Sequence, residues 1–483
     1  MIETSNVLSR GHARSSAVLG WAGILAVAAI AGVASIRFQF EAVVVATTLL
    51  VGVIVLTRSQ VRDGAITFGW IPVAWTMLMF VSDHSFMNLA EGSRSPLDAA
   101  SGKPSLENLV ELATYALVAA MVIRSRRLLL GAGARWRVPK GPLLAFPALA
   151  LLSVLWSPIA LFTLTRASQL LIVVALALLM VRVWQISADL GESVWRSALG
   201  MFVQVTTVLS IIGLLFPAAV SGRYTWPGSG PGGAAVWVGA SLLVLIVGGR
   251  SFAPFPRWAY WPRIVIFILM LNLTLTRSVI LALPFAGLVV LWDIGRNKPI
   301  ARYLGVWYYA SAAFVTVALA EFPIFDYLSR GDSEESLTTL SGRIPLWEIA
   351  IDDLFSAGNI IQGYGYGAAR IVLFPQVPWA GTAHSTWVEA LVGIGIIGVV
   401  VLAGTIFFLV WRLAVAERSV ATTRVALSLL AFLLVVSVAS ELIALPGSGF
   451  GLLALISVPA LSKWKRFHEP EHRSLPFSTE RTR

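Results

Sequence analysis

Ser341-Gly342-Arg343, Gly363-Tyr364-Gly365-Tyr366-Gly367 and Ala383-His384-Ser385 punctuate the interval 321–390, the longest weakly hydrophobic stretch in the body of the chain. Apolar segments flank it on both sides. A polar interval of roughly 60 residues between such segments is usually either functional or disordered. It is read here as the working loop of a membrane protein, with the rest of the chain as its support.

Composition agrees with that reading. The 483 residues are 57% hydrophobic and 13% charged, against about 25% charged residues in soluble domains. The absence of cysteine excludes disulfides, thiolate zinc sites and cysteine nucleophiles. The net charge of +11 does not indicate nucleic acid, because most basic residues fall in short loops between apolar segments, where membrane topology accounts for them. The first apolar segment follows Arg14 without a small-residue cleavage site, so it is expected to be retained as a span.

A spanning helix needs about 20 mainly apolar residues. Candidates lie near 17–36, 41–57, 65–82, 107–123, 141–157, 167–184, 195–216, 234–249, 263–276, 278–293, 303–322, 387–411, 425–443 and 450–462. The expected fold class is therefore all-α: a polytopic transmembrane helix bundle of about 12–14 spans, with a large extracytoplasmic loop between late spans. Basic residues test the arrangement. With the N-terminus inside, they concentrate in the inside segments, as the positive-inside rule requires, and both termini are expected to be cytoplasmic. The tail from Lys463 is basic and reads as a cytoplasmic solubility feature.

The basic residues left on the other side are Arg37, Arg94, Lys103, Arg166, Arg223, Arg277, Arg330, Arg343 and Arg370. Arg277 has apolar sequence before and after it and almost no loop to occupy. It either faces a cavity or partner or snorkels to the headgroups. Phe216–Gly233 is too glycine-rich for a helix and is expected as irregular backbone at the membrane face. Arg343–Phe355 reads as a short helix lying on the bilayer, with Ile344, Trp347, Ile351 and Leu354 on one face and Trp347 as interfacial anchor.

The Gly-Tyr run at 363–367 is no phosphate-binding P-loop, because no Gly-Lys-Ser/Thr follows it. Tyr364 and Tyr366 are either sugar-stacking rings or parts of a plain tight turn. His384 precedes a span, with Glu389 in that span's first turn to orient the loop or cap the helix. No His/Asp/Glu cluster has ligand spacing, so no metal or other cofactor is expected.

These motifs, together with Leu346-Trp347, the Thr386-Trp387-Val388-Glu389 that continues from His384 and the Thr276-Arg277-Ser278 that opens an apolar span, resemble the O-antigen ligase and polymerase family of bacterial membrane glycosyltransferases. The resemblance covers about residues 265–410. It implies an enzyme of the cytoplasmic (inner) membrane that takes a polyprenyl-pyrophosphate-linked glycan as donor and a glycan or lipid as acceptor. The transfer would occur at the outer face, without metal or nucleotide sugar. By the same resemblance Arg277 and Arg343 would meet the pyrophosphate and His384 would act as general base. Arg166 and Arg223 are second-rank candidates for further phosphate or sugar contacts. The chain is expected to divide into N-terminal helices at 1–262, a ligase-like membrane region at 263–462 with its catalytic loop at 323–386, and the tail at 463–483.

A membrane transporter of lipid-linked oligosaccharide is the alternative. It would call for repeated halves and charges at mid-membrane, and the sequence shows neither. A non-catalytic scaffold is the third reading.

Overall fold

The computed structural model describes residues 68–84, 106–125, 140–252 (apart from 216, 221, 222 and 227), 257–297, 342–377, 380–415 and 420–462. The helices are α1 Trp70–Asp83, α2 Leu106–Arg124, α3 Gly141–Leu152, α4 Ala160–Ile186, α5 Ala188–Leu215, α6 Pro231–Gly248, α7 Tyr260–Thr274, α8 Arg277–Asn297, α9 Arg343–Ser356, α10 Ala369–Leu373, α11 Thr386–Val415, α12 Val420–Val438 and α13 Ser448–Ser462. One short antiparallel hairpin, β1 Ala218–Val220 with β2 Arg223–Thr225, lies between α5 and α6.

This is an all-α polytopic membrane bundle. Five helices are long and apolar enough to cross a bilayer, and α3, α7, α8 and α13 are shorter apolar helices. Every residue of α13 is buried. It is apolar all round, which places it at the centre of a bundle, and it touches α1, α4, α6, α11 and α12. The outer helices show lipid-facing apolar residues, among them Ile246, Ile268, Leu281, Val400 and Phe407.

A polar seam holds the end of α1 to the rest. The Asp83 carboxylate accepts the Trp237 indole N–H at 2.6 Å and the Ser448 backbone N–H at 3.0 Å, joining α1, α6 and α13. His84 accepts the Trp226 indole N–H on Nε2 at 2.9 Å. An indole only donates, so the proton of this imidazole sits on Nδ1, 2.8 Å from the Phe80 carbonyl. The neutral ring thus fixes the strand that carries Arg223.

Three expectations change. Phe216–Gly233 is not irregular throughout. It folds into the hairpin, and Gly232 and Gly233 open α6 behind Pro231, since proline suits the first helical turn. Helix α9 forms, but it buries Leu346, Ala350 and Leu354, a face rotated from the expected one. Trp347 commits its N–H to the Ala383 carbonyl at 2.8 Å, so it tethers α9 to the turn before His384. The expected span at 425–443 ends at Val438. The expected spans 17–36, 41–57 and 303–322, most of the loop before Gly342 and the basic tail lie outside the described residues.

Candidate active site

The site is built on a break. Gly395 interrupts α11 with φ 73° and ψ −168°, which frees carbonyls and N–H groups of the helical ladder. The Gly-Tyr run takes them up. Tyr364 N–H donates to Val392 O and Gly365 N–H to Gly393 O, both at 2.8 Å, while Ile396 N–H donates to Ile360 O at 2.9 Å. A Cβ at Gly363 would stand 2.6 Å from the Gly393 carbonyl, and one at Gly395 would stand 2.1 Å from Ile361 O. The glycines are there because two backbones touch.

The tyrosines complete the clamp. Tyr366 is 2% exposed, with its hydroxyl on Ala444 O at 2.7 Å and its N–H on Ser153 Oγ at 2.9 Å. Tyr364 donates to the Asp353 carboxylate at 2.5 Å. Tyr366 therefore presents no ring face to a sugar and acts in the turn, whereas Tyr364 is only half-buried. Glu389 is buried and accepts the Ala383 N–H at 3.0 Å, which orients the turn leading into His384.

His384 has φ 49°. Left-handed backbone is uncommon outside glycine, and strain of this kind concentrates at functional positions. Among the described residues the other non-glycine case is Leu275, φ 48°, in the turn that delivers Arg277. The His384 Nδ1 atom lies 3.4 Å from the Glu441 carboxylate and 3.3 Å from Thr382 Oγ1. Thr386 brings the two segments together. Its N–H and hydroxyl both donate to Ser440 O at 2.8 Å, and its hydroxyl accepts the Ile443 N–H at 3.2 Å. Burial pushes the Glu441 carboxyl up. The hydrogen bond and charge of His384, with its own backbone N–H and Thr382, more than reverse this and leave it below the ordinary glutamate value.

Three arginines are linked electrostatically to this pair through Arg343. Arg343 opens α9 behind Gly342, whose φ is 78°. Burial lowers the pKa of Arg343, Glu441 opposes that shift, and Arg223 and Arg277 add to it. Glu441, Arg223 and Arg277 are therefore each within electrostatic reach of Arg343, although the four charges come from β2, α8, α9 and the segment after α12. Arg277 is the first residue of α8. The turn before it docks on α6 through Thr276 Oγ1, which donates to Pro231 O at 3.3 Å.

Residues 263–403 match the family described as O-antigen ligase. Over this stretch the chain is similar to that family. The match supports chemistry of the O-antigen ligase type, which in general implies a lipid-linked glycan and an acceptor as substrates. No curated protein matches the chain. The matched stretch contains Arg277, Arg343 and His384, while Arg223 precedes it and Glu441 follows it.

The structure thus groups Arg223, Arg277, Arg343 and His384, and adds Glu441, which the sequence reading missed. A signal was present: Glu441 is a lone acid in the apolar run Val438–Ile443, and an ionisable residue there marks a functional candidate. Arg166 stands apart. It pairs with Glu111 at 2.7 Å and with Gln169 at 3.0 Å. Among the described residues no three His, Asp or Glu side chains form a metal cage.

Proposed function

We propose that the protein transfers or polymerises a polyprenyl-pyrophosphate-linked glycan at the outer face of the cytoplasmic membrane, with both termini cytoplasmic. The carrying observation is the His384–Glu441 pair with Arg343 in electrostatic reach of Glu441 and of Arg223 and Arg277. An acceptor hydroxyl attacks the anomeric carbon, and its proton passes to His384 Nε2. The bond from that carbon to the phosphate oxygen breaks, its electron pair leaving with the lipid pyrophosphate. The anomeric centre inverts. Glu441 takes the Nδ1–H and stabilises the imidazolium. The arginines meet the charge that grows on the leaving group, which favours the transition state over the ground state. Guanidinium forks suit phosphate oxygens, and on this reading no metal is required.

The depth of the site supports a lipid-borne donor. Trp258 and Trp261 are exposed beside the start of α7, as in an interfacial aromatic belt. Fifteen residues of α7 rise only about 22 Å, less than the roughly 30 Å of hydrocarbon. A helix this short, starting at one interface, ends inside the far hydrocarbon boundary, so the Arg277 turn would lie within reach of a lipid-borne pyrophosphate.

The test is deletion of the gene in its host, with lipid-linked glycans sized by gel and mass spectrometry and rescue by wild type or His384→Ala. Single repeats accumulating on the lipid indicate a polymerase. Long lipid-linked chains that never reach an acceptor indicate a ligase. Unchanged pools contradict both and favour transport or scaffolding.

A further inference from the structure

Arg370 lies in α10, directly after the Gly-Tyr clamp and within electrostatic reach of Glu389. Its guanidinium carbon sits 4.2 Å from the centre of the Phe162 ring, a stacking distance that fixes the plane of the fork. Its Nε is buried without a hydrogen-bond partner among the described residues. Arg166 lies over the same ring at 5.5 Å, but its charge is matched by Glu111 at 2.7 Å. Burial first, and then Arg166, lower the Arg370 pKa to about 10, with Glu389 partly offsetting them. One Glu389 oxygen is already held by Ala383 N–H. A buried donor normally has a partner, and an uncompensated buried charge is costly.

The surroundings indicate what the partner is. Phe162 stands between Leu161 and Leu164, which are 70% and 42% exposed, and the approach to α4 carries Leu155 at 80%. In a membrane bundle such leucines face lipid. A planar cation at that edge lies where lipid phosphates lie, and a fork offers such a phosphate two parallel donors.

We propose that Arg370, braced by Phe162, holds a second lipid phosphate, at a subsite separate from Arg223, Arg277 and Arg343. The inference rests on the transferase reading, and there the phosphate belongs either to a second lipid-linked substrate, the acceptor, or to a membrane phospholipid.

The test is native mass spectrometry of the full chain in maltoside detergent, titrated with farnesyl pyrophosphate as a short polyprenyl pyrophosphate. Wild type is expected to bind two molecules. Arg370→Gln should weaken one of these by at least about tenfold, Arg343→Gln should weaken the other, and Arg370→Lys should fall between wild type and Arg370→Gln. The Tm of ligand-free Arg370→Gln should equal or exceed that of wild type. Phosphatidylglycerol displacing only the Arg370-dependent molecule assigns the subsite to phospholipid, and failure to displace it assigns the acceptor. A single bound molecule, lost in Arg343→Gln and untouched in Arg370→Gln, overturns the subsite and leaves the transferase reading standing. A fall in Tm for Arg370→Gln marks a structural charge and also overturns it. Binding insensitive to Arg343→Gln contradicts the transferase site instead.

Discussion

The Glu441 carboxylate lies 3.4 Å from Nδ1 of His384, although helices α11 and α12 separate the two in the chain. The contact gives the imidazole a fixed orientation and its forming charge a counterion. His384→Ala should lower turnover about 10²- to 10⁴-fold with normal expression. Glu441→Gln should lower kcat about 10- to 100-fold, because a hydrogen bond to a charged group contributes about 1.5–3 kcal/mol and each 1.36 kcal/mol is tenfold. Little change in KM and partial rescue by Glu441→Asp would separate positioning from folding. Full activity in Glu441→Gln would remove it from the scheme.

Arg343→Lys keeps a charge but loses the planar fork. Its kcat/KM should fall about tenfold or more, with Tm unchanged in thermal melts. Activity equal to wild type would mean that a point charge suffices at this position.

Gly395→Ala tests the clamp. The new Cβ would meet the Ile361 carbonyl at 2.1 Å, and φ is +73°. Backbone strain alone costs about 1–3 kcal/mol. Tm should fall and limited proteolysis should open the segment 357–365, with helix content by circular dichroism preserved. An unaffected melt would show that the break in α11 tolerates a side chain.

His84 predicts an acid-sensitive fold. Burial lowers its pKa to about 4, against about 6.5 in the unfolded chain. Between those values the unfolded chain takes up a proton that the folded chain does not. Stability is thus fully present above about pH 6.5 and is lost as pH falls toward 4, by on the order of 3 kcal/mol in all. Melts of wild type should show this slope, and His84→Asn should flatten it.

Helices were legible in the sequence because apolar length alone marks a span, and the expected spans that fall on described residues coincide with helices. Arg277, Arg343 and His384 were legible because each sits in a local motif. Glu441 was visible only as a lone acid in an apolar run; its pairing with His384 was not, because it depends on a contact between segments far apart in the chain, made by Thr386 and Ser440, and because the residue was absorbed into the expected span at 425–443. The Gly-Tyr run showed a similar limit: its glycines were visible, but the carbonyls of Val392 and Gly393 that require them were not. Burial of Tyr366 against Ala444 is likewise a property of the assembled fold.

The most direct test of the central claim is transfer by the purified protein in proteoliposomes, using polyprenyl-pyrophosphate-linked glycan from its host and a chelator. Wild type should release one polyprenyl pyrophosphate per glycan transferred, and His384→Ala should release almost none. Equal release by His384→Ala, or glycan crossing the bilayer still joined to its lipid, would contradict the account.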